Sequence, residues 1–323
     1  MAEWLYEEGI GENRAILVED DEILAAAVEL PGELRCGSIV AGRLAAIQIR
    51  GRRGIVDTAQ GQVMVEPLPP ALTEGRKVRV EILREPIAEP GKPKYAKGRI
   101  TEAEEKEGPS LAERIGSPRP LPRIGPDLFH EAGWPELIGE AIDGAIDFPG
   151  GELLMSLTPA MTLFDVDGFL PPLELAIAGA EAAGGAIRRH DIGGSIGIDL
   201  PTLPSREDRL RAAAALDAIL PQPFERTAVN GFGFLQVIRR RERRSLPELV
   251  QWDPAGAAAR DLLRTAERGL GACELVAAPA VIARLRDNPD WLQTLAKRIG
   301  GQVSLREEPG FTTWRSHAHF KPS

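Results

Sequence analysis

Two apolar segments near the middle of the chain each end in an acidic residue. Residues 150–168 read G-G-E-L-L-M-S-L-T-P-A-M-T-L-F-D-V-D-G, and residues 188–200 read R-R-H-D-I-G-G-S-I-G-I-D-L. Apolar runs of this length predict β-strands. Because side chains alternate between the two faces of a strand, Asp165 and Asp167 should share one face. Asp199 closes the second strand.

The two strand ends predict a shared site for a cation. A carboxylate in apolar surroundings is costly unless it is paired or bound to a metal. Magnesium binds proteins through one or two carboxylates together with waters and a phosphate. Asp165 and Asp199 are therefore candidate metal ligands for Mg²⁺, with Mn²⁺ as the alternative ion. The competing interpretation is that both are structural carboxylates that cap turns at strand ends.

The first part of the chain predicts short strands. Residues 14–30 read as two strands joined by a Glu-Asp-Asp-Glu turn, which indicates a hairpin. Residues 37–100 contain about five short strands separated by glycine or proline, a pattern typical of a small OB-type barrel. A charged and proline-rich stretch then predicts a linker or exposed loop at 102–126.

Strands alternate with helices over 151–241, which predicts an α/β layered domain. An alanine-rich segment at 173–189 predicts a helix between the two acidic strands. A further helix begins at Ser205, where Asp208 three residues later completes a capping-box pattern.

The C-terminal region predicts a smaller unit. The segments C-E-L-V-A-A-P, a helix through Trp291 and Q-V-S-L-R-E form a β-α-β pattern. His317 and His319 form an H-x-H pair, for which a disordered tail is favoured over a metal site.

Composition and charge narrow the class of protein. The chain has 323 residues and 43% hydrophobic composition, enough for about two to four small domains. Its net charge of −9 and pI of about 5.2 exclude a protein that coats nucleic acid by charge alone. Any contact with RNA must come from local basic clusters.

Cysteine usage and hydropathy predict a cytoplasmic protein. Cys36 and Cys273 lie far apart and form no C-x-x-C motif, which suits a reducing compartment and predicts no cysteine-built zinc site within one chain. No apolar run approaches the length of a membrane span, and the acidic start has no signal-peptide core. No membrane partner is expected.

Two basic tracts are candidate contacts for nucleic acid. The first flanks Tyr95 and consists of Lys92, Lys94, Lys97 and Arg99. The second follows an apolar strand and consists of Arg239, Arg240, Arg241, Arg243 and Arg244. For the second tract a solvated charged face is the alternative, and phosphate contact is favoured for some of its members.

At these residues the chain resembles the ribonuclease E/G family of bacterial endoribonucleases. Writing h for an apolar residue, that family pairs G-G-x-hhh-x-x-T-x-A-h-x-h-h-D-h-N with R-D-h-G-G-h-h-h-h-D. These patterns appear here at residues 150–167 and 189–199, where His190 interrupts the R-D pair. The segment F-G-F-L-Q-V-I-R-R-R at 232–241 is similar to the family's F-G-hh-x-h-x-R-x-R. The segment K-G-R-I-T at 97–101 is a shorter form of its K-G-x-x-h-T.

The resemblance implies roles for particular residues. Asp165 and Asp199 match the family's metal-binding aspartates, and Asp167 stands where the family has an asparagine that orients the phosphate. These three are the candidate catalytic residues. The candidate RNA-binding residues are Lys97, Arg99, Arg239, Arg240 and Arg241.

Compared with the family pattern, the chain is shortened. Residues 102–126 stand in place of a long segment that helps to form a pocket for the RNA 5′ end. E-L-V-Q-W-D-P replaces the C-P-x-C zinc motif that joins two subunits, and R-G-I-V at 53–56 replaces an aromatic platform. Gly231 stands where the family has an arginine. A monomer or weak homodimer without zinc is therefore expected.

The expected architecture is an α+β or α/β multidomain chain. Its units are N-terminal strands 1–35 packing with 127–148, an OB-type barrel 36–101, a linker 102–126, a nuclease-like domain 127–245 and a small C-terminal β-α-β domain 246–323. The expected function is a magnesium-dependent endoribonuclease that cleaves single-stranded RNA in RNA processing or decay. The alternative is a non-catalytic RNA-binding or regulatory relative.

Overall fold

The computed structural model describes residues 1–87, 89, 91 and 94–320. In this part of the chain the strands form three open sheets and one closed five-stranded barrel, and helices pack against the sheets. The predicted mixed α+β class and the predicted barrel are therefore confirmed. None of the helices described is both long and apolar enough to cross a membrane.

The N-terminal sheet is built on a tight hairpin. Its first three strands are β1 (Glu3–Glu8), β2 (Asn13–Glu19) and β3 (Glu22–Glu29), all antiparallel. Asp20 and Asp21 form the turn with φ values of 50° and 63°. Two left-handed residues suit the right-handed twist of a two-residue hairpin, and aspartate tolerates this conformation. The predicted hairpin at 14–30 is thus confirmed.

The barrel closes in the strand order β4-β5-β6-β8-β7. Its core contains the fully buried side chains of Leu44, Val56, Val63 and Val80. Closure leaves no free sheet edge, which protects these short strands from pairing with other chains. The strands are β4 (Ile39–Ile49), β5 (Arg53–Thr58), β6 (Gly61–Val65), β7 (Lys77–Arg84) and β8 (Ala96–Thr101).

The predicted linker at 102–126 contains two short ordered elements, α1 (Leu111–Ile115) and β9 (Arg119–Pro120). Ser110 and Glu113 form a capping box at the start of α1, and Leu111 is fully buried. Strand β9 pairs in parallel with β1 and completes the N-terminal sheet. This stretch therefore packs against the N-terminal strands as well as connecting two larger units.

Two helices, α2 (Leu128–Glu131) and α3 (Trp134–Asp143), cover the N-terminal sheet. Their side chains share a core with Leu5 and Ile16 of the strands. Phe129 packs edge-to-face on Trp134, with ring centroids 5.3 Å apart. Strands β1–β3 therefore share one hydrophobic core with α2 and α3.

The central sheet has six strands in the order β10-β11-β12-β13-β15-β14. Its strands are β10 (Ala145–Phe148), β11 (Gly151–Leu157), β12 (Thr162–Gly168), β13 (Gly194–Asp199), β14 (Glu225–Arg226) and β15 (Phe234–Arg239). Helices α4 (Pro172–Arg189) and α5 (Arg206–Ile219) cover one face and bury the largest hydrophobic core. The opposite face, called here the open face, carries exposed side chains on β10, β11, β12 and β13.

The C-terminal unit differs from the predicted β-α-β pattern in its connection. Strands β16 (Cys273–Ala277) and β17 (Val303–Glu307) are parallel, and two helices rather than one join them, α8 (Pro279–Arg286) and α9 (Pro289–Ile299). Helices α6 (Leu246–Trp252) and α7 (Pro254–Ala266) precede them.

The interpretation of the H-x-H segment as a disordered tail is wrong. His317 and His319 lie in β18 (Ser316–Phe320), which pairs antiparallel with β16. The alternating apolar residues Ala318 and Phe320 pack on the C-terminal core, and this packing supplies the order that the short polar segment does not indicate by itself.

Candidate active site

Asp165 and Asp199 lie side by side on neighbouring parallel strands. Asp165 is the register partner of Asp199 in the β12–β13 pair, and adjacent strands are about 4.8 Å apart. Phe164 and Val166 are buried beneath α4, whereas Asp165 and Asp167 are exposed. The predicted alternation is confirmed, and both members of the aspartate pair are accessible from solvent.

Further carboxylates continue across the open face. Asp167 is the register partner of Glu152, and Glu152 is that of Asp147. All three are exposed. Within the described part of the chain, no group of three or more His, Cys, Asp or Glu side chains is arranged to hold a metal ion. The geometry therefore offers Asp165 and Asp199 as a pair of carboxylates, without a third ligand from Asp167.

This pair fits a hard, oxygen-binding cation better than zinc. Magnesium takes one or two carboxylates and completes its shell with waters and phosphate oxygens. Structural zinc sites instead use four cysteine or histidine ligands. Asp165 and Asp199 could hold Mg²⁺ in this way because they are adjacent and open to water.

Apolar side chains border the aspartate pair. A Cβ added at Gly197 would lie 2.6 Å from Cζ of Phe234 and 2.7 Å from Cδ2 of Leu163, so these two side chains close over the glycine. Phe234 is the register partner of Asp199. Leu154 is the partner of Asp165 and is 48% exposed. The surface around the pair is therefore mixed acidic and apolar.

The arginine run at 239–244 lies towards the other end of the sheet. Arg239 lies five residues after Phe234 along β15, a separation of roughly 16 Å at about 3.3 Å per residue. Its guanidinium donates hydrogen bonds to the carbonyls of Ile187 (3.4 Å) and Ile192 (2.9 Å), and burial lowers the pKa of Arg239. We therefore infer that Arg239 stabilises the fold and does not contribute to an RNA-binding surface.

The other arginines of this run all have acidic partners. Arg243 pairs with Asp191 at 3.1 Å, and Arg240 pairs with Glu242 at 2.9 Å. Arg241 pairs with Glu248, and Arg244 with Glu33. Only the Arg240 side chain is largely exposed, at 73%. The run therefore mainly joins segments of the fold, and Arg240 extends furthest into solvent.

A basic groove separates the barrel from the central sheet. Its volume is about 530 Å³. Lys97 is the register partner of Arg84 in the β7–β8 pair, and burial together with Arg241 lowers the pKa of Arg84. The lining residues are Met64, Glu66, Leu83, Arg84, Lys97, Gly98, Arg240 and Arg241. Four of these eight are basic, so the groove is suited to a polyanion.

The remaining members of the first basic tract differ in availability. Arg99 is exposed but pairs with Glu81 at 2.7 Å. Lys94 pairs with Glu89 at 2.5 Å. Tyr95 is 44% exposed, and its carbonyl accepts a hydrogen bond from Arg84. Lys92 lies outside the described residues.

Sequence reasoning missed Arg84 and the partner of His190. Arg84 ends the alternating pattern of β7, which is the only local signal that it faces the groove.

His190 is fully buried, and its Nε2 lies 2.9 Å from Glu140, which also pairs with Arg189 at 3.0 Å. Burial lowers the pKa of His190 more than Glu140 raises it. This group joins α3 to the end of α4 behind the aspartate strands.

The chain matches no protein-family model and no curated protein sequence. The likeness to ribonuclease E/G thus stays a prediction from the motifs.

Proposed function

We propose that the chain is a magnesium-dependent endoribonuclease that cleaves single-stranded RNA. The observation that carries this proposal is the placement of Asp165 directly beside Asp199 on an exposed sheet face. Two neighbouring parallel strands that each carry a carboxylate at the same level form a suitable binding site for a hard cation.

Asp165 and Asp199 would hold the cation through their carboxylate oxygens. A bound Mg²⁺ supplies positive charge for the scissile phosphate and lowers the pKa of a coordinated water. Asp167 lies on the same face but adds negative charge near the path of the phosphate. It would influence the affinity for the phosphate rather than complete the metal site.

The barrel and the basic groove would bind the RNA backbone. A closed five-stranded barrel is consistent with an OB-type module, a fold that binds oligonucleotides. Lys97 lines the groove from the barrel, and Arg240 and Arg241 line it from the segment that follows β15. The proposed working form is a cytoplasmic monomer or weak homodimer that needs no zinc.

Cleavage of short labelled RNA oligonucleotides, with and without a chelator, tests the proposal. We expect Asp165→Asn and Asp199→Asn each to reduce magnesium-dependent cleavage at least a hundredfold, in the range of losses known for a single catalytic group, with an unchanged melting temperature. Asp147→Asn is the matched control, because this exposed carboxylate lies on the same face two strands from Asp165. Full activity of either pair variant would refute the proposed site.

The second candidate function is binding of RNA without cleavage. The basic groove favours it, because the four basic side chains that line the groove can attract a polyanion whether or not chemistry follows. In that case Arg84→Gln and Lys97→Gln would weaken RNA binding in the absence of magnesium, and no variant or cation would produce cleavage.

A further inference from the structure

Two phenylalanine side chains are largely exposed at the end of the central sheet that carries the aspartate pair. Of the nine phenylalanines, Phe169 is 86% exposed and Phe232 is 84% exposed, whereas the others are buried or half-buried. Phe169 follows β12 directly, and Phe232 lies just before β15. Because β13 lies between β12 and β15, both rings lie at the end of the sheet that carries Asp199. Phe232 lies two residues before Phe234, the register partner of Asp199, and Phe169 lies four residues after Asp165, roughly 13 Å further along the strand direction.

The turn that carries Phe232 is fixed by hydrogen bonds. The Oδ1 of Asn230 accepts from the N–H of Phe232 at 2.8 Å and from that of Phe234 at 3.1 Å. The N–H of Gly233 donates to the carbonyl of Asn230 at 3.2 Å. Gly233 has a φ of +94°, and a Cβ there would lie 2.0 Å from the Leu200 carbonyl oxygen. The ring is thus displayed outward by a defined turn.

The chemistry of the surroundings favours a nucleobase as the partner of these rings. The nearest ionisable groups along the sheet are carboxylates, because Asp167 lies two residues before Phe169 and Asp199 is the register partner of Phe234. These carboxylates repel a bare phosphate but accept a cation that carries one. A base offers a flat face that stacks on an aromatic ring without needing a particular sequence. Bases are available for such stacking only where the strand is unpaired.

We infer that Phe232, together with Phe169, is a stacking platform that positions unpaired bases beside Asp165 and Asp199. The inference rests on the proposed function, because it takes single-stranded RNA as the occupant of the open face. The distance along β15 from the level of Asp199 to that of Arg239, near the basic groove, is roughly 16 Å. A stacked strand of about five nucleotides, at ~3.4 Å each, would span this distance.

Binding of fluorescein-labelled RNA, measured by anisotropy with calcium in place of magnesium, tests the platform separately from cleavage. A gel of each sample verifies that the RNA is intact. We expect Phe232→Ala to raise the Kd for a single-stranded oligonucleotide by about 5- to 150-fold, the range for one lost stacked base. Phe232→Trp should keep the affinity, and Phe232→Leu should lose most of it because leucine has no aromatic face.

Two controls separate base stacking from nonspecific hydrophobic binding. Leu210→Ala removes a 55% exposed apolar side chain from α5, on the covered side of the sheet, and should leave the Kd unchanged. Duplex RNA of the same sequence should bind wild type and Phe232→Ala equally, because its bases are already stacked.

The inference is overturned if wild type does not bind the single strand, if Phe232→Ala binds it as wild type does, or if Phe232→Leu retains full affinity. Unchanged RNA binding in every variant would indicate that the rings contact a protein partner instead. The proposed function fails on a different result, namely cleavage that survives Asp165→Asn. Loss of binding in Phe232→Ala without any metal-dependent cleavage would support the platform and refute the nuclease.

Discussion

At the scale of single residues, charge on the open face decides how the proposed site can work. Asp165, Asp167 and Asp199 are all exposed, and Asp167 has a second carboxylate, Glu152, as its register partner. Two unit charges 4 Å apart interact by about 1 kcal/mol in water and about 4 kcal/mol near a protein surface. Each carboxylate that carries no cation therefore repels a phosphate that approaches this face by an appreciable energy.

We expect Asp167→Asn to raise the rate of RNA cleavage several-fold, since about 1 kcal/mol of repulsion corresponds to roughly a fivefold change in rate. The magnesium concentration for half-maximal rate should stay the same, because no three-carboxylate metal group exists among the described residues. Rate measured against magnesium concentration checks both statements. A requirement for more magnesium in the variant would show that Asp167 is a third ligand.

The sequence predicts some of these residues and not others for a physical reason. Strand alternation is local, so the shared face of Asp165 and Asp167 follows from the sequence alone, and the pairing of Asp165 with Asp199 follows once the strands are parallel. The exposure of Phe232 depends on a turn held by Asn230. The contacts of Arg239, Arg243 and Arg244 depend on groups far along the chain, namely the carbonyl of Ile192 and the carboxylates of Asp191 and Glu33.

At the scale of secondary-structure elements, glycines in α4 set how closely this helix approaches its neighbours. A Cβ at Gly179 would lie 2.4 Å from Cγ1 of Val166, on the strand that carries Asp165. A Cβ at Gly184 would lie 3.2 Å from Cδ1 of Leu216 in α5. These glycines therefore allow the helix to pack closely, although glycine has a low helix propensity.

We expect Gly179→Ala to lower the free energy of unfolding by about 1–3 kcal/mol, because overpacking outweighs the better helix propensity of alanine. Gly185→Ala is the matched control in the same helix. Its Cβ would meet only the end of the Arg189 side chain, at 3.8 Å, so this variant should gain about 0.5–1 kcal/mol. Urea unfolding measures both changes. A stabilised Gly179→Ala variant would contradict the close helix–strand contact.

The larger elements were predictable, and the small ones were not. The hairpin, the barrel strands and α4 have enough length for a periodic pattern. The five residues of α1 and the two residues of β9 do not. These short elements are ordered by contacts distant in sequence, such as the hydrogen bond from the Leu111 N–H to Glu29. A proline-rich composition at 102–126 could not reveal such contacts.

At the scale of the whole molecule, a buried network of charges joins the first strand to α7. Glu7 is 4% exposed and pairs with Arg14 at 2.8 Å, Arg264 at 2.7 Å and Arg268 at 2.8 Å. Burial and Arg264 lower the pKa of Arg14 to about 10, despite the opposite effect of Glu7. Glu7, shared among three guanidinium groups, therefore helps to hold the N-terminal sheet against the C-terminal unit, together with the Glu12–Arg260 ion pair at 2.9 Å.

The last prediction is that Glu7→Gln destabilises the whole chain, whereas Glu8→Gln does not. Removing one partner of a buried ion pair leaves uncompensated charge and costs about 3–5 kcal/mol. Here Arg14 and Arg264 would stay buried without their shared carboxylate. Glu8 is 73% exposed and its carboxylate lies 3.8 Å from Arg298, so its substitution should change stability by less than about 0.5 kcal/mol.

The pH dependence of this effect has a definite sign. Burial alone would raise the pKa of Glu7, but Arg14 and Arg264 lower it by more than burial raises it. The folded-state pKa therefore lies below the ordinary value of 4.5. The carboxylate thus adds stability above pH 4.5, and this contribution is lost as the pH falls through the lowered pKa. The unfolding free energies of wild type and Glu7→Gln, measured with urea, should differ most near pH 7 and converge as the pH falls below 4.5 and through the lowered pKa. A difference that does not change between these pH values would show that the lost stability comes from packing and not from the charge of Glu7.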